Sequence, residues 1–205
     1  MKHLNEYITE KLKINSNIKV QEYTCKPKTK KELREIIEQR LKQDKNSNLN
    51  DIDVSEIIDM SELFRYLYPH NIDISEWNVS NVTDMHDMFL SGENHFNADL
   101  SKWDVSKVKD MSSMFSNCWN FNSDLSKWDV SNVENMRFMF NNCENFNSDL
   151  SKWDVSNVEN MYNMFCGCEN FNCDLSNWDV SKVKDIENMF KRCDSLKNIP
   201  SWYKK

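Results

Sequence analysis

The chain has almost no glycine. Two occur in 205 residues, Gly92 and Gly167. Loops that cradle phosphate need several glycines close together, so that backbone N–H groups approach the anion with no Cβ in the way. Nucleotide folds of that kind are therefore excluded. Histidine is nearly as scarce: His3, His70, His86 and His95. No serine or cysteine is marked as a nucleophile by a spaced histidine and acid, so the hydrolytic triad has no footing. No stretch is apolar enough for a membrane span or a signal peptide, and the opening MKHLNEYITEKLKI is charged throughout. Without an export signal the expected compartment is the reducing cytoplasm, where the seven cysteines stay free thiols.

Charge of one sign is missing where nucleic acid would need it. The formal net charge is -7. Residues 1–50 carry 12 Lys+Arg against 7 Asp+Glu, while residues 51–205 carry 14 against 26. The acidic part should repel a phosphate backbone, so no nucleic-acid partner is expected. The basic part could dock on the acidic part or on an acidic partner.

What is present is a repeat. Tryptophan recurs at Trp77, Trp103, Trp128, Trp153 and Trp178. Asp124 to Ser148 reads DLSKWDVSNVENMRFMFNNCENFNS, and Asp149 to Cys173 reads DLSKWDVSNVENMYNMFCGCENFNC. A period near 25 residues signals one supersecondary unit stacked many times. Five full units begin at Asp73, Asp99, Asp124, Asp149 and Asp174 and fill 73–198, the first being longer near Ser91–Glu93. Degenerate units occupy 48–72, where Ile52 takes the tryptophan slot, and 199–205, which holds Trp202.

Within a unit the spacing from Val133 to Cys143 predicts one apolar face of a helix of roughly ten residues. Ser131 and Glu134 read as an S-x-x-E capping box. Asn117, Asn142 and Gly167 share the column where a left-handed C-cap belongs. The segment Phe146–Ser151 reads as a short strand, stacked in parallel with its copies. Asn97, Asn122, Asn147 and Asn172 predict a buried asparagine ladder between units. The expected fold is therefore α/β: a leucine-rich-repeat-like solenoid of strand-turn-helix coils over 50–205, with an N-terminal helical cap in 1–49.

The unit DLSxWDVSxVxxMxxMFxxCxxFN resembles the BspA-type leucine-rich repeat, in the variant of mycoplasma-type surface lipoproteins, over residues 50–202. That resemblance implies a protein that binds other proteins, at a cell surface or in a particle. The opening segment resembles short leader segments of some phage-encoded proteins, which implies a second reading: a component of a larger assembly, such as a viral particle, docked through the N-terminal segment.

Outside the repeat, Thr29 and Glu32 form another capping box, followed by the stripe Leu33, Ile36, Ile37 and Leu41. An amphipathic helix over 30–43 is predicted. A weaker stripe, Leu4, Tyr7, Ile8 and Leu12, suggests a docking arm over residues 1–20.

Several columns invite chemistry. Cys118, Cys143, Cys168 and Cys193 recur every 25 residues, and Cys166, Cys168 and Cys173 cluster. Side chains of one column point in parallel, so small buried hydrophobes are expected rather than disulfides or a zinc site, which would lack a fourth ligand. The aspartate columns (Asp104, Asp129, Asp154, Asp179; Asp99, Asp124, Asp149, Asp174) read as turn formers rather than calcium ligands. No metal and no cofactor is expected, and a metal-dependent enzyme is the reading kept in third place. The lysine column Lys102, Lys127 and Lys152 is uniform, so it could read only a generic target. Positions such as Ser112, Arg137, Tyr162 and Glu187 differ from unit to unit, and diversity is what specific recognition needs. Trp119 stands where later units carry Glu144, Glu169 and Asp194, and Phe138 and Tyr162 stand in polar columns. The expected function is a non-enzymatic protein-interaction scaffold that contacts its partner through Trp119, Arg137, Phe138 and Tyr162, with the lysine column as the alternative surface.

Overall fold

The structure, a computed structural model, describes residues 22–90 and 96–203. The 1–20 arm with its Leu4–Leu12 stripe, the Ser91–Glu93 insertion and His95 lie outside the described residues.

Among the described residues there is one helix, α1 (Lys30–Gln43). Its bounds are those the sequence predicts, for a local reason. Thr29 accepts the Glu32 N–H at its hydroxyl, 3.2 Å, and Glu32 takes the Lys28 N–H at 2.7 Å. Leu33, Ile37 and Leu41 face the core.

The strand-turn-helix coil is not what the units adopt. No unit contains a helix or a multi-residue strand among the described residues. Extended pairing is reduced to single parallel bridges, Asp59↔Asp84↔Asp110↔Asn135↔Asn160↔Asp185, with Asn48↔Asp73 and Cys25↔Ile52 before them. The α/β solenoid expectation is thereby overturned, and the backbone hydrogen bonds say why. In the segment expected to be helical, alternate N–H groups leave the unit. Met136, Phe138, Phe140 and Asn142 donate to the carbonyls of Asn160, Tyr162, Met164 and Cys166 in the next unit, at 2.7–2.9 Å. The N–H groups between and after them stay in the unit: Met139, Asn141 and Cys143 close turns onto Met136, Phe138 and Phe140, and Arg137 donates to Asn135 Oδ1. None is left for a carbonyl four residues back, which a helix requires. Left-handed residues at Phe138 (φ 56) and Asn142 (φ 56) also break any helical run.

The S-x-x-E box fails in the units for a related reason. The Ser131 hydroxyl donates to Asp129 at 2.6 Å, and the Ser131 N–H donates to the same carboxylate at 3.0 Å. An Asx turn has captured the would-be cap. The left-handed column is as expected: Asn117 (φ 62), Asn142 and Gly167 (φ 80), although each ends a run of turns. The asparagine ladder exists but is exposed. Asn97, Asn122 and Asn147 accept the backbone N–H of Asn122, Asn147 and Asn172 at 2.8–2.9 Å.

Successive units thus lie one upon the next, and side chains repeat the pattern. Each indole N–H of the tryptophan column reaches the preceding unit, as from Trp128 to Leu100 O and from Trp153 to Leu125 O, both 3.0 Å. Trp202 continues the column by donating to Leu175 O at 3.0 Å. Phe64, Phe89, Phe115, Phe140, Phe165 and Phe190 stack at centroid separations of 5.1–5.9 Å. One core cluster runs from Leu33 to Cys193.

Helix α1 serves the first unit in the same currency of hydrogen bonds. In later units a carbonyl such as Met88 O accepts the N–H of Phe64, one unit earlier. Its counterpart Leu63 O has no earlier unit and accepts from the Arg34 guanidinium at 3.2 Å, which also serves Glu62 O and Arg65 O. Lys30 joins Asp59 and Ser61, and Arg40 joins Asp51. Replacing Arg34 by Met keeps the stem and strands these carbonyls. Two of these bonds are part-buried, so Arg34→Met should lower the urea midpoint by about 1 kcal/mol of stability, while the exposed control Lys31→Met changes it by less than about 0.5 kcal/mol. Equal midpoints for the two variants would remove Arg34 from its role.

The Asx turns give the fold an acid limit. Hydrogen bonds from Ser101, Ser126 and Ser151 hold the carboxyls of Asp99, Asp124 and Asp149 below their ordinary value of 3.8. At Asp53 burial pushes upward, yet hydrogen bonds from Ser55 and Lys26 outweigh it and hold the group at about 2. A depressed folded value stabilises above the unfolded value and is lost as pH falls through the folded one. Thermal melts should be flat above about pH 5 and fall steeply between about pH 4 and pH 2. Asp124→Asn with Asp149→Asn, which keeps each Oδ1 acceptor, should flatten that fall.

Candidate functional site

Phe138 lies in a left-handed backbone position whose equivalents are Glu62, Asp87, Ser113, Asn163 and Asn188, all with φ of 54–56°. Small polar residues tolerate this region best, and a bulky aromatic there is strained by about 1–3 kcal/mol. The ring is half-buried and meets Tyr162 of the next unit edge-on, centroids 5.1 Å apart. The Arg137 guanidinium sits over the same ring at 5.2 Å. The structure therefore joins three of the four sequence-predicted residues, Arg137, Phe138 and Tyr162, into one outward cluster. Trp119 is exposed at 43% and makes no ring contact with that cluster among the described residues. The group is rigid, amphipathic and cationic at one edge, which suits a protein contact.

The alternative surface is less organised. Lys102 pairs with Glu76 of the preceding unit, while Lys127 and Lys152 are exposed. The three occupy equivalent places after the Asx turns at Asp99, Asp124 and Asp149.

A second aromatic position escaped the sequence reasoning. Tyr66 is 59% exposed and left-handed at φ 61, in the column of Asn117, Asn142 and Gly167. Arg65 stacks on it at 5.0 Å, beside a cleft of about 390 Å³ bordered by Lys30, Lys31 and Arg34. Carrying the left-handed column back through the degenerate unit would have marked it.

The cysteine column is buried, and its thiols are free. Cys143, Cys168 and Cys193 donate to Phe115 O, Phe140 O and Phe165 O at 2.9–3.0 Å. Cys173, by contrast, accepts the Leu150 N–H and lies against Asp149, so it does not converge with Cys168. Among the described residues no group of three or more His, Cys, Asp or Glu side chains is placed to hold a metal ion. The aspartate columns bond local backbone, as turn formers do.

Burial pushes the thiols of Cys118, Cys143 and Cys168 well above the ordinary range, and that of Cys193 to about 12. The thiolate is the reactive form, so native protein at about pH 8 should be alkylated at the half-buried Cys25 and Cys166 and spared at the column. Peptide mapping by mass spectrometry reads this directly. Rapid labelling of Cys143 in folded protein would contradict the burial.

No helix among the described residues is long and apolar enough to cross a membrane. No curated protein and no solved structure is significantly similar to the chain. A family model described as "Mycoplasma protein of unknown function, DUF285" matches residues 31–141 and 110–205. The match establishes a repeat family related to the resemblance read from the columns and does not reach the BspA-type leucine-rich repeat itself. Spanning most of the described residues, it shows that the chain belongs to the DUF285 family, Mycoplasma proteins of unknown function.

Proposed function

We propose that the protein is a non-enzymatic interaction scaffold that binds a protein partner through Arg137, Phe138 and Tyr162, with Trp119 as an outlying contact. The observation that carries this reading is the strain at Phe138. Its column holds Asn, Ser, Asp or Glu in every other described unit, residues that take the left-handed region at less cost than phenylalanine. Natural chains keep such a local violation where function asks for it. Support also comes from the partners Phe138 has. An aromatic pair with an arginine over its face is the composition of interface hot spots. A kinship with BspA-type repeats, which rests on the recurring columns alone, points to the same class of function, at a cell surface or inside the cell.

The variant Trp119→Ala, Phe138→Asn, Tyr162→Ala tests the reading. Relief of the left-handed strain should raise the melting temperature of the single Phe138→Asn variant, or at least not lower it. Against a partner captured from the native source, the triple variant should bind at least about tenfold more weakly, the loss of at least about 1.4 kcal/mol that removing such anchors implies. Undiminished binding by that variant, with loss on changing Lys102, Lys127 and Lys152 to Glu, would move the contact to the lysine column.

A further inference from the structure

Four neighbouring columns, those of Arg137, Phe138, Asn141 and Asn142, make one face of the stack. Side-chain contacts run across it. Phe138 meets Tyr162 of the Arg137 column, and in the earlier units Arg65 bonds Asp87 at 3.0 Å and stacks on Tyr66. Two positions on this face share an unusual arrangement. Tyr66 and Phe138 both take the left-handed region, and each carries an arginine on its ring, Arg65 at 5.0 Å and Arg137 at 5.2 Å. They stand three units apart. Bridged units rise about 4.8 Å each, so about 14 Å separates the two ledges. Between them Ser112, Ser113 and Ser116 present only short side chains, which leaves room for a backbone.

The face is also where the array is least acidic. Its columns hold Arg65, Arg137, Lys191 and Arg192 against Glu62, Asp87 and Glu187. Outside them, residues 51–205 carry acids well in excess of bases. Among the described residues no carboxylate pairs with Arg137, which is exposed. At the other ledge Glu62 and Asp87 fix Arg65, at 2.8 and 3.0 Å. The charge offered there is that of Lys31, whose side chain is 86% exposed at the rim of the cleft beside Tyr66.

Given the scaffold reading above, on which this step rests, we infer that the face takes an extended acidic segment of a protein partner. The segment lies along the stack, with one carboxylate at Arg137 and another four residues away at Lys31 beside Tyr66. Charge selects the acid. A guanidinium fork can donate two parallel N–H bonds to a carboxylate while its plane stays on the Phe138 ring. Spacing selects the extended form. In an extended chain the side chains of residues four apart share one face about 13 Å apart, close to the separation of the ledges. In a helix the same two side chains lie only about 5–6 Å apart. A duplex nucleic acid is too wide for this face alone and would meet the aspartate columns beside it.

The probe is a synthetic nonapeptide of Thr and Ala with Glu at its third and seventh residues. It is titrated onto the full chain at low ionic strength and followed by NMR. It should bind with a Kd below about 1 mM and shift the signals of Tyr66, Ser113 and Arg137. Changing either Glu to Gln, or moving the second Glu to the fifth residue, should weaken binding about tenfold. Arg137→Gln changes an exposed residue, so the melting transition should stay in place while binding falls about tenfold. The exposed control Lys197→Gln should alter neither. Four results overturn the inference: no binding at millimolar peptide, equal binding by the Gln peptides, equal loss in the Arg137 and Lys197 variants, or tighter binding of a single-stranded oligonucleotide at the same residues. Should the peptides fail while a captured partner still depends on Phe138 and Tyr162, the acidic segment is refuted and the scaffold reading stands. A captured partner indifferent to both residues would refute the scaffold reading as well.

Discussion

The structure depends on one constraint: alternate backbone N–H groups of a unit bond to the next unit, and those between them close turns within it. At positions such as Met136, Phe138, Phe140 and Asn142 the N–H leaves for the next unit, and the N–H between each pair closes a turn behind it. A buried N–H or C=O without a partner costs about 1–3 kcal/mol, so this alternation leaves no room for another arrangement. It forbids a helix in the unit, and it limits extended pairing to a bridge at one residue per junction. Each unit then contacts chiefly its neighbours, as in other repeat proteins.

The side chains follow the same rule. Tryptophan fits its column because its buried indole N–H finds an acceptor in the preceding unit, the carbonyl of Leu100 or Leu125. Cysteine fits its column because a small apolar thiol can still donate weakly, to Phe115 O or Phe140 O. The asparagine and aspartate columns bind N–H groups that the turns would otherwise leave open. Where the pattern meets a boundary, the chain needs something else. At the first unit that is Arg34, and beside Phe190 it is the Tyr203 ring.

The candidate contact residues depart from the columns they stand in. Phe138 and Tyr66 both sit in left-handed columns better served by Asn or Gly, and each has an arginine stacked on it. Phe138 and Tyr162 were legible as departures from their polar columns. Their meeting across a unit boundary was not, because it depends on where Tyr162 stands one unit later. Tyr66 was hidden by the degeneracy of its unit, which obscures the column it belongs to. Trp119 was legible as an exposed aromatic, but the fold leaves it apart from the other three.

The period, the buried apolar columns and the limits of α1 could be read from the sequence, because each is written in local spacing or in a single capping box. So could the left-handed turns at Asn117, Asn142 and Gly167. The conformation inside the unit could not be read this way. The spacing of Val133, Met136, Met139, Phe140 and Cys143 suits a helix and a run of turns equally well. Thr29 and Ser131 open the same S/T-x-x-E motif, yet Thr29 caps a helix and Ser131 is held by Asp129. The difference lies about 25 residues away along the chain. The N–H groups of the unit have carbonyls waiting in its neighbour, and no local motif records that.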